Sequence, residues 1–262
     1  MGLRLIGITD LPLYPSRVDR DEQLNQEYFD AHLHEYSSKR IKGVAREIER
    51  LLENRGGISI CDVGSGTGSN LHKLAEQLSP ARCVAFDISN KSLQKIAERY
   101  PTIETKQLSI LDDEEIQEFS QTFDVVLLAA VLHHLVGSNP RTSLLHAQEG
   151  MKNALTLVKP GGILVVLEPV FRPSWAMKIL FFVKKALTSF SNKRISVAGY
   201  WNNIGAPLVM MYSESQVEAM IATLQSGGVL AKLHHQGQLG WVRLFIRKQD
   251  VTFFVKRDTL ST

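Results

Sequence analysis

The sequence predicts an α/β protein built on a doubly wound, mostly parallel sheet, and three observations carry that prediction. Between residue 57 and about residue 170, short apolar runs alternate with stretches of helical periodicity. Strands that read as near-continuous apolar runs are those covered on both faces by crossover helices. The first apolar run ends in an acid and a turn with glycine at 64, 66 and 68. Near the end of the chain, Leu230 to His235 and Gly240 to Arg247 are two strand-like runs around a short Gly/Gln turn. That pattern predicts an antiparallel hairpin completing the sheet.

Taken in order, Ile58 to Val63 is the first strand, and Leu71, Leu74, Ala75 and Leu78 follow at helical spacing. Cys83 to Phe86 is the second strand. Ser89 or Asn90 then caps a helix bearing Leu93, Ile96 and Ala97. Glu104 to Leu111 is the third strand, and Asp112 to Gln121 an acidic helix start or turn. Phe123 to Ala130 is the fourth strand, almost wholly apolar. Ser143 to Val158 carries Leu144, Met151, Leu155 and Val158 on one helical face, Lys159 to Gly162 stops that helix, and Ile163 to Leu167 is the fifth strand. Right-handed crossovers fix most of the topology. Val251 to Lys256 reads as either an edge strand or a tail.

Two segments fall outside this alternation. Residues 1–52 hold a loop and then a helical pattern from Glu27 to Glu53, and form an N-terminal helical cap. Residues 171–222 form a lid or substrate insert containing Trp175 to Phe190, then Tyr200 and Trp201, then a helix capped by Ser213 or Ser215. The organisation expected is therefore a cap (1–52), a core (53–170), the insert (171–222) and a closing hairpin (223–262).

Composition narrows the function classes. With 44% hydrophobic and 22% charged residues over 262 positions, the chain has the balance of an ordinary globular protein. A formal charge of +3 is too small to point to nucleic acid. The two cysteines, Cys61 and Cys83, lie in apolar strand patterns and read as buried thiols of a reducing compartment. Arg4, Asp10 and Arg17 interrupt the apolar region a signal peptide needs, and Ile6 breaks a myristoylation pattern. No run approaches the ~18 apolar residues of a membrane span. A cytoplasmic protein without an integral membrane segment is the expectation.

The glycine turn is the most specific signal. Glycine at alternate positions lets the backbone take φ > 0 and lets a ligand lie against bare amide groups. A dinucleotide fingerprint would need glycine at 69, where Ser69 stands, and the closing Gly-Lys-Ser/Thr of a P-loop is absent. Asp87 lies 19 residues beyond Gly68, the spacing at which an acid reaches a ribose diol. The alternative is that Asp87 only caps the next helix.

The run Asp62 to Gly68 resembles the first motif of class I S-adenosylmethionine (SAM)-dependent methyltransferases. Phe123 to Leu135, ending Val-Leu-His-His-Leu, is similar to their fourth, and Lys159 to Gly162 to their turn before strand five. The resemblance spans residues 57 to about 170 and implies a Rossmann-like, seven-stranded core with SAM as cofactor. It implies cofactor contacts from Asp62, Gly64, Ser65, Gly66 and Gly68, from Asp87 and Ile88, and from backbone carbonyls near Ala129 to the methionine ammonium group. Ser109 stands where the family often has an acid for the adenine amino group, with Ile110 supplying the amide beside the ring. Asp112 lies three residues beyond Ser109 and is suited to a helix N-terminus.

For the acceptor side, His133 or His134 is a candidate general base, since imidazole titrates near working pH, and Glu168 a candidate for the acceptor pocket. Tyr36 and Arg40 are candidates to close over the amino-acid end of the cofactor, and Tyr200, Trp201 and Met210 to Tyr212 to line the cover. Residues 175–190 suit a lid, a homodimer contact or an amphipathic surface anchor. His32 with His34, and His234 with His235, are wrongly spaced for a metal centre, so none is expected. The combined expectation is metal-independent methyl transfer to oxygen or nitrogen of a small, partly apolar metabolite. A protein or RNA target, and an inactive SAM-binding scaffold, are the alternatives.

Overall fold

A computed structural model describes residues 41, 43–52, 57–190, 195–197, 201–204, 208–224, 228–235 and 247–258, together with Glu27 and Asp30. The strands are β1 (Ser59–Val63), β2 (Arg82–Asp87), β3 (Glu104–Gln107), β4 (Phe123–Ala129), β5 (Val158–Arg172), β6 (Ile195–Val197), β7 (Trp201–Ile204), β8 (Val229–His234) and β9 (Arg247–Lys256). Among the described residues the helices are α1 (Val44–Leu51), α2 (Ser69–Leu78), α3 (Asn90–Arg99), α4 (Asp113–Gln117), α5 (Pro140–Leu157), α6 (Ser174–Phe190) and α7 (Glu214–Ala222), with a 3-10 turn at Leu132–His134.

Seven strands form one sheet in the order β3-β2-β1-β4-β5-β9-β8, and β6 and β7 pair separately. The first five are parallel, and β9 runs antiparallel to both β5 and β8. The alternation of side chains along β1 distributes the core between the two faces. Cys61 and Val63 join the cluster under α5 and α7, while Ile60 joins the cluster under α1, α2 and α3. The two thiols thus lie in different clusters, Cys61 in the first and Cys83 in the second. Burial pushes both up, Cys83 to about 11.

The helices begin where local chemistry satisfies their first amides. Ser89 caps α3 by accepting from the Ser92 amide. Asp112 caps α4 through the Glu114 and Glu115 amides. Asn139 and Thr142 form a reciprocal capping box on α5, and Ser213 and Gln216 another on α7.

The closing strands differ from the expected pairing. The strand that pairs with β8 is Arg247–Lys256, which lies between β5 and β8 instead of at an edge or in a tail. Its register with β5 runs from Ile163 opposite Lys256 to Arg172 opposite Arg247, which extends β5 well beyond Leu167. An apolar run such as Val251 to Val255, buried on both faces, belongs inside a sheet. Conversely, β3 stops at Gln107, four residues short of the expected end, and all its side chains are exposed, as befits an edge. Residues 240–246 lie outside the described residues.

In a sheet of this order the helices leave β1 and β4 toward opposite faces, so a crevice opens between the carboxyl ends of those strands. That switch point is where Asp62, one residue before the end of β1, lies opposite Leu127, two residues before Ala129 ends β4.

Candidate active site

The glycine loop after β1 is held by the protein's own acceptors. The Gly64 and Ser65 amides donate to the Phe86 carbonyl at 2.8 and 3.1 Å, the Gly66 amide to Asp87 Oδ2 at 2.8 Å, and the Gly68 amide to the Ser65 carbonyl at 3.0 Å. The expected row of bare amides is therefore not what the loop presents, because β2 takes those of Gly64, Ser65 and Gly66 and the loop itself that of Gly68. What it presents is space and oxygen. A Cβ at Gly66, where φ is +55°, would meet nothing within 4 Å, whereas one at Gly64 would lie 2.5 Å from Val131 Cγ2. Gly64 is thus required for close packing, and Gly66 leaves an open cradle.

The side chains around that cradle carry unsatisfied oxygen atoms. Both carboxylate oxygens of Asp62, the Ser65 hydroxyl and the Asn70 amide oxygen are buried without a hydrogen-bond partner. Buried polar atoms are nearly always paired, so such a cluster marks the place of a polar ligand. Burial, and then the negative charge of Asp87, push the Asp62 carboxyl well above the usual range. Asp87 is 8% exposed; its Oδ1 accepts from the Ser89 amide at 2.8 Å while Oδ2 holds Gly66. Burial raises its pKa to about 6 against the opposing effect of these amides. Ser89, and not Asp87, caps the following helix, so the acid is tied to the glycine loop instead. The first turn of α2 has no side-chain cap, which leaves its amides facing the same end of the sheet.

Neighbouring segments bring the other expected residues to this end of the sheet. The Leu108 amide donates to the Asp87 carbonyl at 3.2 Å, setting Ser109 and Ile110 beside it. Ser109 Oγ accepts from the Leu111 amide, the Ile110 carbonyl from Asn153, and the Ile88 carbonyl from Gln107. Ala129 ends β4, and Ala130 follows in the left-handed region at φ +60°, with its amide donating to Leu167. This strained turn swings the chain into the 3-10 turn that carries the two histidines.

There Glu168, at the end of the core stretch of β5, makes the second constellation. It is 1% exposed; its Oε1 accepts from the Leu132 amide at 2.7 Å and its Oε2 from His133 Nδ1 at 2.8 Å. A carboxylate can only accept, so Nδ1 carries the proton and the imidazole is oriented in one tautomer. The His134 ring lies against His133, centroids 4.2 Å apart. Below the pair, the Met210 amide donates to the His133 carbonyl, and Tyr212 donates to the Ser143 carbonyl at 3.0 Å. Burial and the nearby Glu168 raise the Tyr212 phenol. Met210 and Tyr212 are buried in the core, not in a cover as expected, because β5 recruits this segment through Val170 and Phe171.

Tyr36, Arg40 and Tyr200 lie outside the described residues, and so do the side chains of Trp201 and its strand. Two residues enter that sequence reasoning did not select. Asn70 sits at the helix start directly after the glycine loop, a position that signals it. Asp30 accepts from Ser89 Oγ at 2.6 Å, bringing an N-terminal residue to the loop after β2, and nothing in its own sequence context marks it. Among the described residues no group of three His, Cys, Asp or Glu side chains is placed to hold a metal ion.

The family model for a methyltransferase domain matches residues 61–164, from within β1 into β5. That stretch of the chain is thus similar to a methyltransferase domain. The chain is similar to part of the hybrid PKS-NRPS synthetase apdA of Emericella nidulans, at 27% identity over 157 residues, covering 57% of this chain and 4% of that one. It is also similar to trans-aconitate 2-methyltransferase of Deinococcus radiodurans, at 29% identity over 126 residues, covering 48% of this chain and 43% of that enzyme. The chain thus spans less than half the length of these curated relatives. The fold is shared with the geranyl diphosphate C-methyltransferase of Streptomyces coelicolor, which was solved with Mg2+, geranyl diphosphate and S-adenosyl-L-homocysteine. The TM-score is 0.60 at 9% identity, over 90% of this chain and 98% of that one. No described helix of this chain is long and apolar enough to cross a membrane.

Proposed function

We propose that this protein is a SAM-dependent methyltransferase of a small, partly apolar acceptor, working in the reducing setting that its two buried free thiols suit, the cytoplasm. The observation that carries the reading is the acceptor-rich cradle. Asp62, Ser65, Asn70 and Asp87 offer oxygen to a ligand, while the amides of Gly64, Ser65, Gly66 and Gly68 are already engaged. A pyrophosphate finds little to bind in such a loop, whereas a ligand with an ammonium group and a ribose diol finds acceptors for both. SAM is such a ligand, and when bound it supplies a methyl carbon on a positively charged sulfonium leaving group.

In this reading Asp87 accepts from the diol through the lone pairs not used by Gly66 and Ser89. Asp62 and the carbonyl end of β4 at Ala129 face the ammonium group, and Ser109 and Ile110 flank the base. The uncapped turn of α2 suits the carboxylate. Glu168 holds His133 so that Nε2 faces proton removal, and the resulting imidazolium is stabilised by the buried carboxylate. A base of this kind contributes roughly 10²–10⁴-fold when the acceptor must lose a proton, and alignment of the acceptor most of the remainder. Oxygen and nitrogen acceptors suit that chemistry without a metal. A carbon acidified by a neighbouring carbonyl suits it equally, and similarity to polyketide-assembling synthetases favours this second reading.

The test is calorimetric titration of the protein with SAM, S-adenosylhomocysteine and NAD side by side. Binding of the first two and not of NAD is the expected result. Binding of NAD, or of none of the three, refutes the cofactor assignment. Acceptors are then screened for turnover, and the site of the new methyl group decides between heteroatom and carbon.

A further inference from the structure

Helix α6 has two apolar faces, and among the described residues one is buried and the other exposed. Met177 and Phe181, one turn apart, are 2% exposed, and Phe181 joins the core cluster that also holds Val170, Met210 and Tyr212. Trp175, Ile179, Phe182 and Val183 are 64%, 56%, 54% and 42% exposed. At roughly 100° per residue these four fall within about 100° of one another, on the side opposite Met177 and Phe181. The stripe runs ~12 Å along the helix. Exposed large side chains scattered singly mean little, but four aligned on one helix face are a patch.

The charge around the stripe identifies its occupant. From Pro173 to Arg194 the sequence contains Lys178, Lys184, Lys185, Lys193 and Arg194 and no acid at all. Lys178 and Lys185, both exposed, flank the same edge of the stripe, and Lys185 also donates to the Ser138 carbonyl. A protein partner burying four such side chains needs acidic complements and a shaped pocket. An anionic bilayer needs neither, accepting tryptophan and phenylalanine at the headgroup boundary while lysines reach the phosphates. We propose that α6 docks this protein on anionic lipid surfaces as a peripheral, in-plane anchor.

The placement gives the anchor a consequence. α6 begins two residues after β5 ends and, through Lys185, touches the loop that follows His133 and His134. Docking therefore sets the bilayer beside the His133–Glu168 end of the sheet, where an apolar acceptor dissolved in the membrane is within reach. This last step rests on the function proposed above; the docking itself does not.

The experiment is co-sedimentation of the full chain with vesicles of phosphatidylglycerol and phosphatidylcholine in equal parts, against phosphatidylcholine alone. Binding is expected to the anionic vesicles and to weaken in 0.5 M salt, as Debye screening requires (about 4 Å or less at that strength). Lys178→Ala is expected to weaken it roughly fivefold. Ile179→Glu combined with Phe182→Glu is expected to lower it at least tenfold, with SAM affinity unchanged as the sign of an intact fold. A blue shift of tryptophan emission on vesicle addition is expected to vanish in Trp175→Phe. Equal binding to both vesicle types, or binding indifferent to the double substitution, overturns the proposal. So does a dimer in sedimentation velocity that the double substitution converts to monomer without vesicle binding, which would make a second copy the occupant. If the unsubstituted chain binds SAM but does not bind the anionic vesicles, this inference alone is overturned, while failure to bind SAM touches only the cofactor reading.

Discussion

Replacing Asp87 with asparagine separates binding from folding more sharply than any other change to this site. The carboxyl titrates near 3.9 in an unfolded chain and at about 6 in the fold, where burial disfavours its charge. A folded pKa above the unfolded one means a stabilising contribution that is complete below about pH 4 and is lost as pH rises through about 6. At pH 7 the buried charge costs about 3 kcal/mol, which asparagine removes. Against that, an amide has one acceptor oxygen where the carboxylate used two. Its NH2 must then face the Gly66 or the Ser89 amide, donor against donor, at a cost of about 1–3 kcal/mol. The two effects nearly cancel, so the melting temperature of the free protein moves by only a few degrees. Ligand binding has no such cancellation. A charge-assisted hydrogen bond to the ribose diol is worth about 1.5–3 kcal/mol, and losing one weakens SAM roughly 10- to 150-fold. Calorimetry at pH 7.5 reads the affinity, and repeating it from pH 5 to 8 reads the titration. Wild-type affinity is expected to fall below about pH 6 as Asp87 is protonated, and asparagine to abolish that inflection. An affinity within threefold of wild type, or an inflection that survives the substitution, refutes the assignment of Asp87.

Two further outcomes test the remaining parts of the site. Glu168→Gln puts an amide NH2 opposite His133 Nδ1 or Leu132 N and favours the tautomer with the proton on Nε2, so turnover of a proton-losing acceptor is expected to drop 10²–10⁴-fold while SAM affinity stays within threefold; unchanged turnover shows that His133 is not the base. Gly66→Ala and Gly64→Ala differ in kind. The first meets open space and bears only the left-handed strain of about 1–2 kcal/mol, so it is expected to fold and to lose SAM. The second adds a 2.5 Å clash with Val131 and is expected to lower the melting temperature further, by about 2–4 °C for each additional kcal/mol.

Much of this architecture is legible in the sequence because its signals are local. A strand buried on both faces has to be apolar throughout, and a glycine loop cannot be replaced where φ is positive, so β1, β4 and the acid-glycine turn announce themselves. Non-local pairing is another matter. Val251 to Lys256 is as apolar as β4, but nothing within it states that its partners are β5 on one side and β8 on the other. The same limit applied at the site. Alternating glycines suggested amides awaiting a ligand, whereas the Phe86 carbonyl and the Asp87 carboxylate, supplied by another strand, had already taken them. Likewise Met210 and Tyr212 have the composition of a cover and the position of a core, a difference decided by the bridge from Val170 to Tyr212.

The electrostatics of the glycine loop favour a cationic ligand. Asp62, one residue before the end of β1, has both oxygens buried and unpartnered, and the charge of Asp87 on the adjacent strand adds to the cost of ionising it. Desolvated carboxylates of this kind are normally neutralised by a partner side chain, as Asp124 is by Lys159 and Ser59 at the opposite end of the sheet. The fold therefore spends at the switch point a stability it keeps elsewhere, and a bound cation is what returns it. Each hydrogen bond from an ammonium group to Asp62 lowers that carboxyl's pKa, so SAM binding at neutral pH is expected to release protons where Asp62 is protonated in the free protein. Titration in buffers of different ionisation enthalpy measures that release directly. A neutral adenosine binding with the same proton count as SAM shows that the amino-acid end does not reach Asp62, and the orphaned carboxyl then needs another partner.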